Sequence, residues 1–244
     1  MRFIQKILIE KDTGKKYLVK DVKEDFHTSS GLISKKDLQF NKTTLKSSTN
    51  KEFLLFTPTF PNLWENLHRG PQIMIQKDIG LILAKTGINK NSTVVDAGGG
   101  TGSLCLSLAN VCKEITVYEI HPEHFNIINK NINLCGFSNI TVKKKDISKG
   151  IDEKELDLLT LDLPEPWLVL PHAEKALKPS AFLVVYLPNL LQVHQFIEAA
   201  AHSSIQVLET IELLERKWDI HDKIMRPQFQ MLGHTGFLVF CRRV

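Results

Sequence analysis

The sequence predicts an α/β protein in which a mostly parallel, doubly wound sheet follows a small N-terminal β-domain. Two observations support this fold class: strand and helix patterns alternate from residue 93 onward, and short strand-like runs separated by turns fill residues 1–60. The chain has 244 residues, enough for one or two domains, since a domain takes about 100–200 residues. We therefore expect a small β-barrel-like domain over residues 1–62 and an α/β domain over residues 63–244.

The N-terminal region begins with a hairpin pattern. The runs KILIEK and KKYLVK flank Asp12-Thr13-Gly14, a turn sequence that is typical between two paired strands. DFHTSSGLIS and KEFLLFTP have the composition of further strands, and short strands with regular turns are typical of a small β-barrel or a β-meander. Pro58 and Pro61 then interrupt the chain, and the pattern becomes helical over Gln72–Lys85, with Gly87 as its stop.

The remainder of the chain alternates between strand and helix patterns, which favours a parallel sheet with helices on both faces. The predicted strands are Thr93–Ala97, Glu114–Ile120, Asn139–Lys145, Leu156–Leu163 and Phe182–Leu187. The predicted helices are Gly102–Val111, Pro122–Leu134, Leu168–Leu177 and Asn189–Ala201. Two later runs, Ile205–Leu214 and Thr235–Arg242, are expected to form an antiparallel pair at the edge of the sheet.

The charge of the chain is concentrated near its N-terminus. The net charge is +4, and residues 1–66 contain 12 Lys/Arg against 8 Asp/Glu, so the whole excess lies there. This distribution fits an RNA-facing appendage, and it fits an ordinary solvated surface equally well.

Composition excludes several other classes of protein. No apolar run reaches the roughly 20 residues that span a bilayer, and the first residues are charged throughout, so we expect a cytoplasmic protein with no membrane segment. The four cysteines form no CxxC motif and no Cys/His pair at zinc spacing, so no metal site is expected.

The strongest local signal is the sequence VVDAGGGTG over residues 94–102. An apolar strand leads through Asp96 into glycines at 98, 100 and 102, and a helix pattern follows. Glycines let the backbone approach a ligand closely, and the start of a helix offers free N–H groups. A dinucleotide-binding loop prefers a third Gly or Ala where this chain has Ser103. Asp96 before the first glycine instead favours the loop of S-adenosyl-L-methionine (SAM) methyltransferases.

Acidic residues follow three successive predicted strands. Asp96 precedes the glycine loop, Glu119 ends the next strand, and Asp146 follows the third. A carboxylate at Glu119 can accept bonds from both ribose hydroxyls of a nucleoside, and one at Asp146 can accept from the adenine amine. Parallel strands present their carboxyl ends at one edge of the sheet, where such folds bind ligands. His124, one turn into the following helix, can reach the same cofactor.

The fourth strand ends in the sequence DLPEPW over residues 162–167. Two prolines and Trp167 make a stiff aromatic wall after Asp162, suited to a flat base beside the cofactor. A rigid loop with Trp167 in the core is the competing interpretation.

These motifs together resemble the TrmI family of tRNA N1-adenosine methyltransferases over nearly the whole chain. The matching segments are HRGPQ at 68–72, Lys77-Asp78, the glycine loop, Glu119, Asp146, DLPEPW, YLPN at 186–189, and a last block from Trp218 through Arg226-Pro227 to MLGHTGF at 231–237. Phe26-His27-Thr28 to Gly31 is similar to the small N-terminal β-domain of that family. DLPEPW and GHTGF are more specific than the glycines.

The resemblance implies a class I SAM-dependent methyltransferase fold, SAM as cofactor, tRNA as substrate, and a homotetramer. It implies Asp162 as the main catalytic residue, with SAM contacts from Gln72, Asp96, Gly98, Gly100, Thr101, Gly102, Ser103, Leu104, Glu119, His124, Asp146 and Asp162. The target is adenosine in the T-loop, at position 58 and, in archaeal-type members, also at 57. Related archaeal sequences often have His-Pro before Lys77-Asp78, whereas this chain has Ile75-Gln76, so the choice between the two positions stays open.

The implied reaction is displacement at a sulfonium methyl group by adenine N1. N1 already carries a lone pair, so no strong base is required, but the product is cationic as it forms. Asp162 can accept from the exocyclic amine and stabilise this charge. The base must leave the folded T-loop to reach the pocket, where Tyr186 and Trp167 are candidate walls.

The sequence leaves three alternative functions to be considered. The first is a SAM-dependent methyltransferase acting on a small molecule or protein, which would have no need of DLPEPW. The second is a non-catalytic RNA-binding subunit, against which the intact glycines and acids argue. The third, an NAD-dependent oxidoreductase, is disfavoured by the spacing of the glycine loop.

Overall fold

The computed structural model describes residues 3–40, 43–70 and 73–244. Internal contacts divide the chain into two compact units. The first comprises residues 1–68 and 129–138, and the second comprises residues 69–128 and 139–244.

The first unit is built on a small antiparallel sheet. Its elements are β1 (Lys6–Glu10), β2 (Lys16–Val19), β3 (Phe26–Thr28), β4 (Gly31–Ile33), α1 (Lys35–Gln39), β5 (Thr44–Lys46), β6 (Glu52–Phe56) and α2 (Phe60–Glu65). Four of the strands form a sheet in the order β2-β1-β6-β5, and β3 pairs with β4. The predicted hairpin at Asp12-Thr13-Gly14 is confirmed, since β1 and β2 are antiparallel and Gly14 has a φ of 69°.

The turn pattern suggested a barrel or a meander. Among residues 3–40 and 43–70, the outermost strands of the four-stranded sheet are β2 and β5, and the Ser48 N–H just after β5 donates to the Leu32 carbonyl of β4 at 2.9 Å. Alternating strand residues still enclose a core, because one face of each strand is apolar. That core contains Leu8, Val19, Ile33, Leu38, Leu45, Phe53 and Leu55.

The second unit is a doubly wound α/β structure. Its elements are α3 (Gln76–Thr86), β7 (Thr93–Ala97), α4 (Ser103–Ala109), β8 (Glu114–Tyr118), α5 (Pro122–Cys135, of which residues 129–135 belong to the first unit), β9 (Ile140–Lys143), β10 (Leu156–Leu161), α6 (Leu170–Ala176), β11 (Leu177–Leu187), α7 (Leu190–Ala200), β12 (Ile205–Glu212), β13 (Trp218–His221), β14 (Ile224–Pro227) and β15 (Phe237–Arg243).

Seven of these strands form one sheet in the order β12-β15-β11-β10-β7-β8-β9. The five strands from β11 to β9 are parallel, and β15 lies antiparallel between β11 and β12. The predicted alternation of strands and helices and the predicted antiparallel pair are therefore confirmed. The hairpin of β13 and β14, helices α1 and α2, and strand β5 were not predicted.

The register of the parallel strands places the predicted acids along one edge of the sheet. Ala97 of β7 lies between Leu161 of β10 and Tyr118 of β8. Glu119 and Asp162 follow those two partners directly, so they lie on either side of the glycine loop. Within the described part of the chain, the helices are too short or too polar to cross a membrane.

Candidate active site

A cavity of about 540 Å³ opens at the carboxyl edge of the parallel sheet. This volume falls within the range of small-molecule and cofactor sites, about 300–1,000 Å³. Its described lining comes mainly from the loops after the five parallel strands: Ile73, Met74, Gly98, Gly100, Tyr118, Glu119, Ile120, His121, His124, Lys145, Asp146, Ile147, Asp162, Leu163, Pro164, Tyr186, Pro188 and Gln192. A smaller cavity of about 20 Å³ shares Gly98, Gly100 and Asp162 with it and reaches Thr101, Ser103 and Leu104.

Two glycines make the loop after β7 possible. Gly98 has a φ of 85°, and a Cβ built on it would lie 2.0 Å from the carbonyl oxygen of Asp162. Any side chain there would push apart the ends of β7 and β10. Gly100 has a φ of 53° and lines both cavities, and a Cβ there would meet nothing closer than 3.8 Å. The backbone at Gly100 is therefore open to a ligand.

Glu119 is held in place by two backbone donors. Its Oε2 accepts from the Gly100 N–H at 2.9 Å, and its Oε1 accepts from the His121 N–H at 2.8 Å. The side chain is buried and borders the cavity. Since each carboxylate oxygen can accept more than one bond, both oxygens remain able to accept from a ligand.

Two histidines lie beside this carboxylate. The rings of His121 and His124 have centroids 5.3 Å apart in an edge-to-face arrangement. Nδ1 of His124 is 3.6 Å from Oε2 of Glu119, beyond hydrogen-bonding distance. His124 therefore lies within reach of the cavity, as the sequence suggested, without being tied to Glu119.

Asp146 begins a short 3₁₀ turn over Ile147–Lys149. Its Oδ1 accepts from the N–H and the hydroxyl of Ser148, at 3.0 and 2.7 Å. The hydroxyl bond of Ser148, its N–H and Lys149 together lower the pKa of Asp146. This carboxylate is thus fully ionised near neutral pH, with Oδ2 left mainly to solvent and to Lys149 at 3.7 Å.

Asp162 has the opposite electrostatic character. The residue is exposed where it borders the cavity, and the protein atoms around its carboxyl group still desolvate it and raise its pKa to about 6. Water in the open cavity moderates the effect, so we expect it to be largest when a ligand fills the cavity.

Asp96 lies beneath the site rather than in it. The side chain is buried, and its Oδ1 accepts a bond of 2.6 Å from the Thr160 hydroxyl of the neighbouring strand β10. Burial, opposed by this hydrogen bond, raises the pKa of Asp96 to about 7, and the charges of Asp162 and Glu119 act in the same direction. The carboxylate borders neither cavity, so it can act on a ligand only through its charge.

The two predicted aromatic walls have different surroundings. Tyr186 of β11 lines the cavity, and burial raises the pKa of its phenol to about 12. Trp167 packs against the hydrophobic core of the sheet and does not border the cavity. The Pro166–Val169 3₁₀ turn directs the tryptophan inward, so the wall after Asp162 is made by Leu163 and Pro164 instead.

Comparison with known proteins identifies the family. The profile described as "tRNA methyltransferase complex GCD14 subunit" matches residues 52–227. The chain belongs to this family. It is 33% identical to the tRNA (adenine(57)-N(1)/adenine(58)-N(1))-methyltransferase TrmI of Methanocaldococcus jannaschii over 98% of this chain and 95% of that relative.

Solved structures show the same fold. A SAM-dependent O-methyltransferase from Thermotoga maritima is similar with a TM-score of 0.80 and 25% identity, covering 100% of this chain and 94% of that one. The tRNA (m1A58) methyltransferase TrmI from Aquifex aeolicus has a TM-score of 0.74 and 24% identity, covering 100% and 98%. The predicted Rossmann-like SAM-dependent methyltransferase fold with a small N-terminal β-domain is confirmed, and the cofactor of this GCD14 protein is SAM.

The hydrogen-bond acceptors and negative charges that line the cavity fit SAM. The cofactor is a cation with two ribose hydroxyls and an adenine amine, so it requires acceptors and negative charge. The cavity supplies the carboxylates of Glu119, Asp146 and Asp162 and the open backbone at Gly100. Among the described residues, no group of three or more His, Cys, Asp or Glu side chains is arranged to bind a metal ion.

The structure brings most of the predicted site residues of this GCD14 protein together. Those bordering one cavity or both are Gly98, Gly100, Thr101, Ser103, Leu104, Glu119, His124, Asp146, Asp162 and Tyr186. Asp96, Gly102 and Trp167 border neither. Gln72, the remaining predicted SAM contact, lies outside the described residues.

Several lining residues were not predicted. Tyr118, Ile120 and His121 flank Glu119, and Lys145 and Ile147 flank Asp146, so proximity to a strand-end acid was an available signal. Ile73, Met74 and Gln192 had no such signal. Gln192 belongs to α7, and its side-chain amide donates to the Pro164 carbonyl at 2.9 Å, which holds the loop after β10 against that helix.

Proposed function

We propose that this chain is a SAM-dependent tRNA methyltransferase that forms N1-methyladenosine in the T-loop. Adenosine 58 is the primary target, and adenosine 57 is a second position to be tested. The observation that carries the proposal is the carboxylate of Asp162, which faces the cavity beside the glycine loop. The proposal is also supported by 33% identity to a relative named as a tRNA methyltransferase for adenines 57 and 58.

When bound, SAM supplies an electrophilic methyl group. The residues proposed to hold it are the glycine loop (Gly98, Gly100 and Thr101 with Ser103 and Leu104), Glu119, His124 and Asp146, together with Gln72. Glu119 is oriented by its two backbone donors and accepts from the ribose hydroxyls. Asp146 keeps one carboxylate oxygen for the adenine amine because Ser148 occupies the other.

Asp162 is the proposed catalytic residue. Methylation at N1 makes the adenine ring cationic, and a carboxylate that accepts from the exocyclic amine stabilises that charge as it develops. With a pKa of about 6, Asp162 is mostly ionised at neutral pH. A cofactor and a base that fill the cavity would displace water from this carboxylate, which strengthens its interaction with a cation because the effective dielectric constant falls.

Tyr186 is the proposed contact for the acceptor base. Its ring lies in the strand next to that of Asp162, and the register pairs Val185 with Leu161 just before them. A protonated phenol beside the carboxylate offers both a flat surface and a hydrogen-bond donor. Trp167, the second predicted wall, is partly buried, packs against the core and does not border the cavity, so Tyr186 is the contact proposed here.

The proposed partner is tRNA, and we propose that residues 1–62 form an RNA-facing domain and residues 63–244 a catalytic domain. Exposed lysines in the first unit support this reading, among them Lys20, Lys23, Lys35 and Lys36. Their contact with phosphates would make binding weaken as salt rises. With tRNA as the acceptor, we also propose that the protein acts in the cytoplasm.

We further propose that the protein is a homotetramer. The β13–β14 hairpin and the segment after it expose large apolar side chains, with Met225 73% and Phe229 87% accessible. Ile220 pairs with Met225 across the hairpin, and Trp218, two residues earlier, lies on the same face of the hairpin, so these three side chains form one apolar surface. Contiguous apolar surface of this kind is typical of protein–protein interfaces.

A second candidate is a SAM-dependent methyltransferase that acts on another acceptor. Its support is the similarity to the Thermotoga maritima protein named as an O-methyltransferase. An oxygen acceptor must lose a proton on methylation, whereas adenine N1 need not. The two candidates therefore differ in their product and in their need for a base.

The test is transfer of a labelled methyl group from SAM to an unmodified tRNA transcript, followed by nucleoside analysis. We expect N1-methyladenosine, lost when adenosine 58 is replaced by uridine if 58 is the sole target, and only reduced by that replacement if adenosine 57 is methylated too. Transcripts with both positions replaced are the control. SAM binding without any methylated nucleoside would reject tRNA as the acceptor and favour the second candidate.

A further inference from the structure

A buried ion pair lies at the start of α3. Lys77 Nζ is 2.7 Å from Oδ1 of Asp78, and the two side chains are 11% and 1% exposed. Thr235, which precedes β15, completes a triangle with them: its hydroxyl accepts from Lys77 Nζ at 2.7 Å and donates to Oδ2 of Asp78 at 2.9 Å. None of the three side chains borders the cavity.

This arrangement satisfies two charges that are costly to bury. An ion pair in the interior is stable only when further hydrogen bonds occupy its remaining donors and acceptors. Here one hydroxyl serves both partners, so the position of Thr235 is fixed relative to both charges. The network therefore anchors the chain just before β15 to the start of α3.

The anchored segment lies directly on Tyr186. A Cβ built on Gly236 would be 2.5 Å from Cζ of Tyr186 and 2.9 Å from its hydroxyl oxygen, so the backbone of Gly236 packs flat against the phenol. β15 also pairs with β11 in a register that places Leu238 opposite Tyr186.

We propose that Lys77, Asp78 and Thr235 act as one positioning unit, which holds the phenol of Tyr186 beside Asp162 and so sets where the acceptor base lies in the cavity. This inference rests on the proposed function for the identity of the acceptor. The three are positioning residues, because they act through Tyr186 and do not reach the cavity themselves.

A purely structural role is the competing explanation. A structural tie between α3 and β15 would affect stability and SAM affinity, and its loss would add independently to any change at Tyr186. A positioning unit acts through one phenol, so its loss should have no further effect once that phenol is removed. A double-mutant cycle separates the two.

The variants are Thr235→Val, Thr235→Ser, Tyr186→Phe and the Thr235→Val/Tyr186→Phe double variant. Thr235→Val removes one hydroxyl and keeps the Lys77–Asp78 ion pair, whereas Asp78→Asn would leave a buried lysine without its counter-charge. Thr86→Val is a matched control. Thr86 lies in α3, the helix that contains Lys77 and Asp78, and its hydroxyl donates only to the Ile82 carbonyl.

We expect Thr235→Val to lower kcat for tRNA methylation about fivefold to tenfold, the effect of one lost hydrogen bond. The affinity for SAM should stay within about twofold, and Thr235→Ser should recover most of the rate. The double variant should be no slower than Tyr186→Phe. Additive losses in the double variant, or a parallel loss of SAM affinity, would overturn the proposal.

NMR of the protein labelled at its tyrosines gives a readout that does not depend on the acceptor. The chain has three tyrosines, and the Tyr186 signal is identified by its loss in Tyr186→Phe. We expect Thr235→Val to shift this signal, with Thr235→Ser and Thr86→Val close to wild type. If wild-type protein makes no N1-methyladenosine, the shift still supports the positioning unit and only the acceptor is wrong. An unmoved Tyr186 signal would reject the positioning unit, whatever the acceptor.

Discussion

Each side of the cavity contains an aspartate, and the surroundings shift the pKa values of these two aspartates in opposite directions. The β8–β9 side contains Glu119 and Asp146, and the β10–β11 side contains Asp162 and Tyr186. The pKa of Asp146 is lowered by hydrogen bonds from Ser148, whereas desolvation of its carboxyl group raises the pKa of Asp162 to about 6. Two aspartates that each follow a parallel strand therefore have different protonation behaviour.

This contrast distinguishes the carboxylates that bind the cofactor from the carboxylate that stabilises charge during methyl transfer. A carboxylate whose charge is already stabilised by hydrogen bonds is suited to bind a ligand in a fixed way, and adds little when charge changes during a reaction. A carboxylate that is poorly solvated gains more from a cation that forms beside it. We therefore expect substitutions on the β8–β9 side to change SAM affinity and those at Asp162 to change the rate of transfer.

The largest effect is expected for Asp162→Asn. The amide has the shape of the carboxyl group but carries no charge, so it cannot stabilise the cationic product ring. We expect kcat for tRNA methylation to fall by about 100-fold or more, in the range for loss of one preorganised electrostatic contact. SAM affinity, measured by calorimetry, should change much less.

Glu165→Gln is the matched control for this substitution. Glu165 is an exposed carboxylate three residues further along the same loop, and it does not border the cavity. Its variant should retain the wild-type rate. Near-full activity of Asp162→Asn would remove Asp162 from the chemistry and, with it, the contrast between the two sides.

The next largest effect is expected for Glu119→Gln. One side-chain oxygen becomes an NH₂ group, which then faces the N–H of Gly100 or His121 instead of accepting from it. The charge that favours a cationic cofactor is lost as well. We expect the Kd for SAM to rise about tenfold to a hundredfold, since hydrogen bonds to charged groups contribute about 1.5–3 kcal/mol.

Here kcat at saturating SAM should fall far less than for Asp162→Asn. Glu123→Gln, an exposed carboxylate in the first turn of α5, provides the comparison and should leave the Kd unchanged. An unaltered SAM affinity in Glu119→Gln would show that the β8–β9 side does not hold the cofactor.

The β8–β9 side was the more predictable from sequence. Glu119 and Asp146 each follow a strand, and the sheet topology alone brings such residues to one edge. The glycine loop was equally readable, because positive φ angles and close backbone approach require glycine. The parallel strands themselves were found for the same reason: apolar runs at regular spacing specify them locally.

The β10–β11 side depended on contacts between distant parts of the sequence. Thr235 meets Lys77 and Asp78 only after β15 has inserted between β11 and β12. The sequence analysis identified Lys77-Asp78 and the MLGHTGF segment as family motifs but assigned neither of them a role. Trp167 was predicted as a wall for the base, with a place in the core as the alternative; a turn after Asp162 packs it against the core, and local sequence does not specify that direction. The β13–β14 hairpin has exposed apolar residues, which strand patterns based on burial do not identify.

The smallest expected effect is the dependence of the wild-type kcat for methylation on pH. The pKa of Asp162 is raised to about 6 because its charged form is poorly solvated. Above that pH the carboxylate is ionised and able to stabilise a cation, and below it the group becomes a neutral acid. We therefore expect kcat for methylation to be level near neutral pH and to fall about tenfold per pH unit below pH 6.

The Asp162→Asn variant tests the origin of this decline. Its residual rate should be level from about pH 5 to 7, because the titrating group is gone, and single-turnover reactions with labelled SAM can measure it. A decline that persists in this variant would locate the titrating group elsewhere. Asp96 is then the first candidate, since burial raises its pKa to about 7 and its charge interacts with that of Asp162. Because Asp96 has the higher pKa and is mostly protonated where Asp162 titrates, Asp96→Asn should leave the wild-type decline nearly unchanged if Asp162 is the titrating group, and should alter it only if Asp96 is.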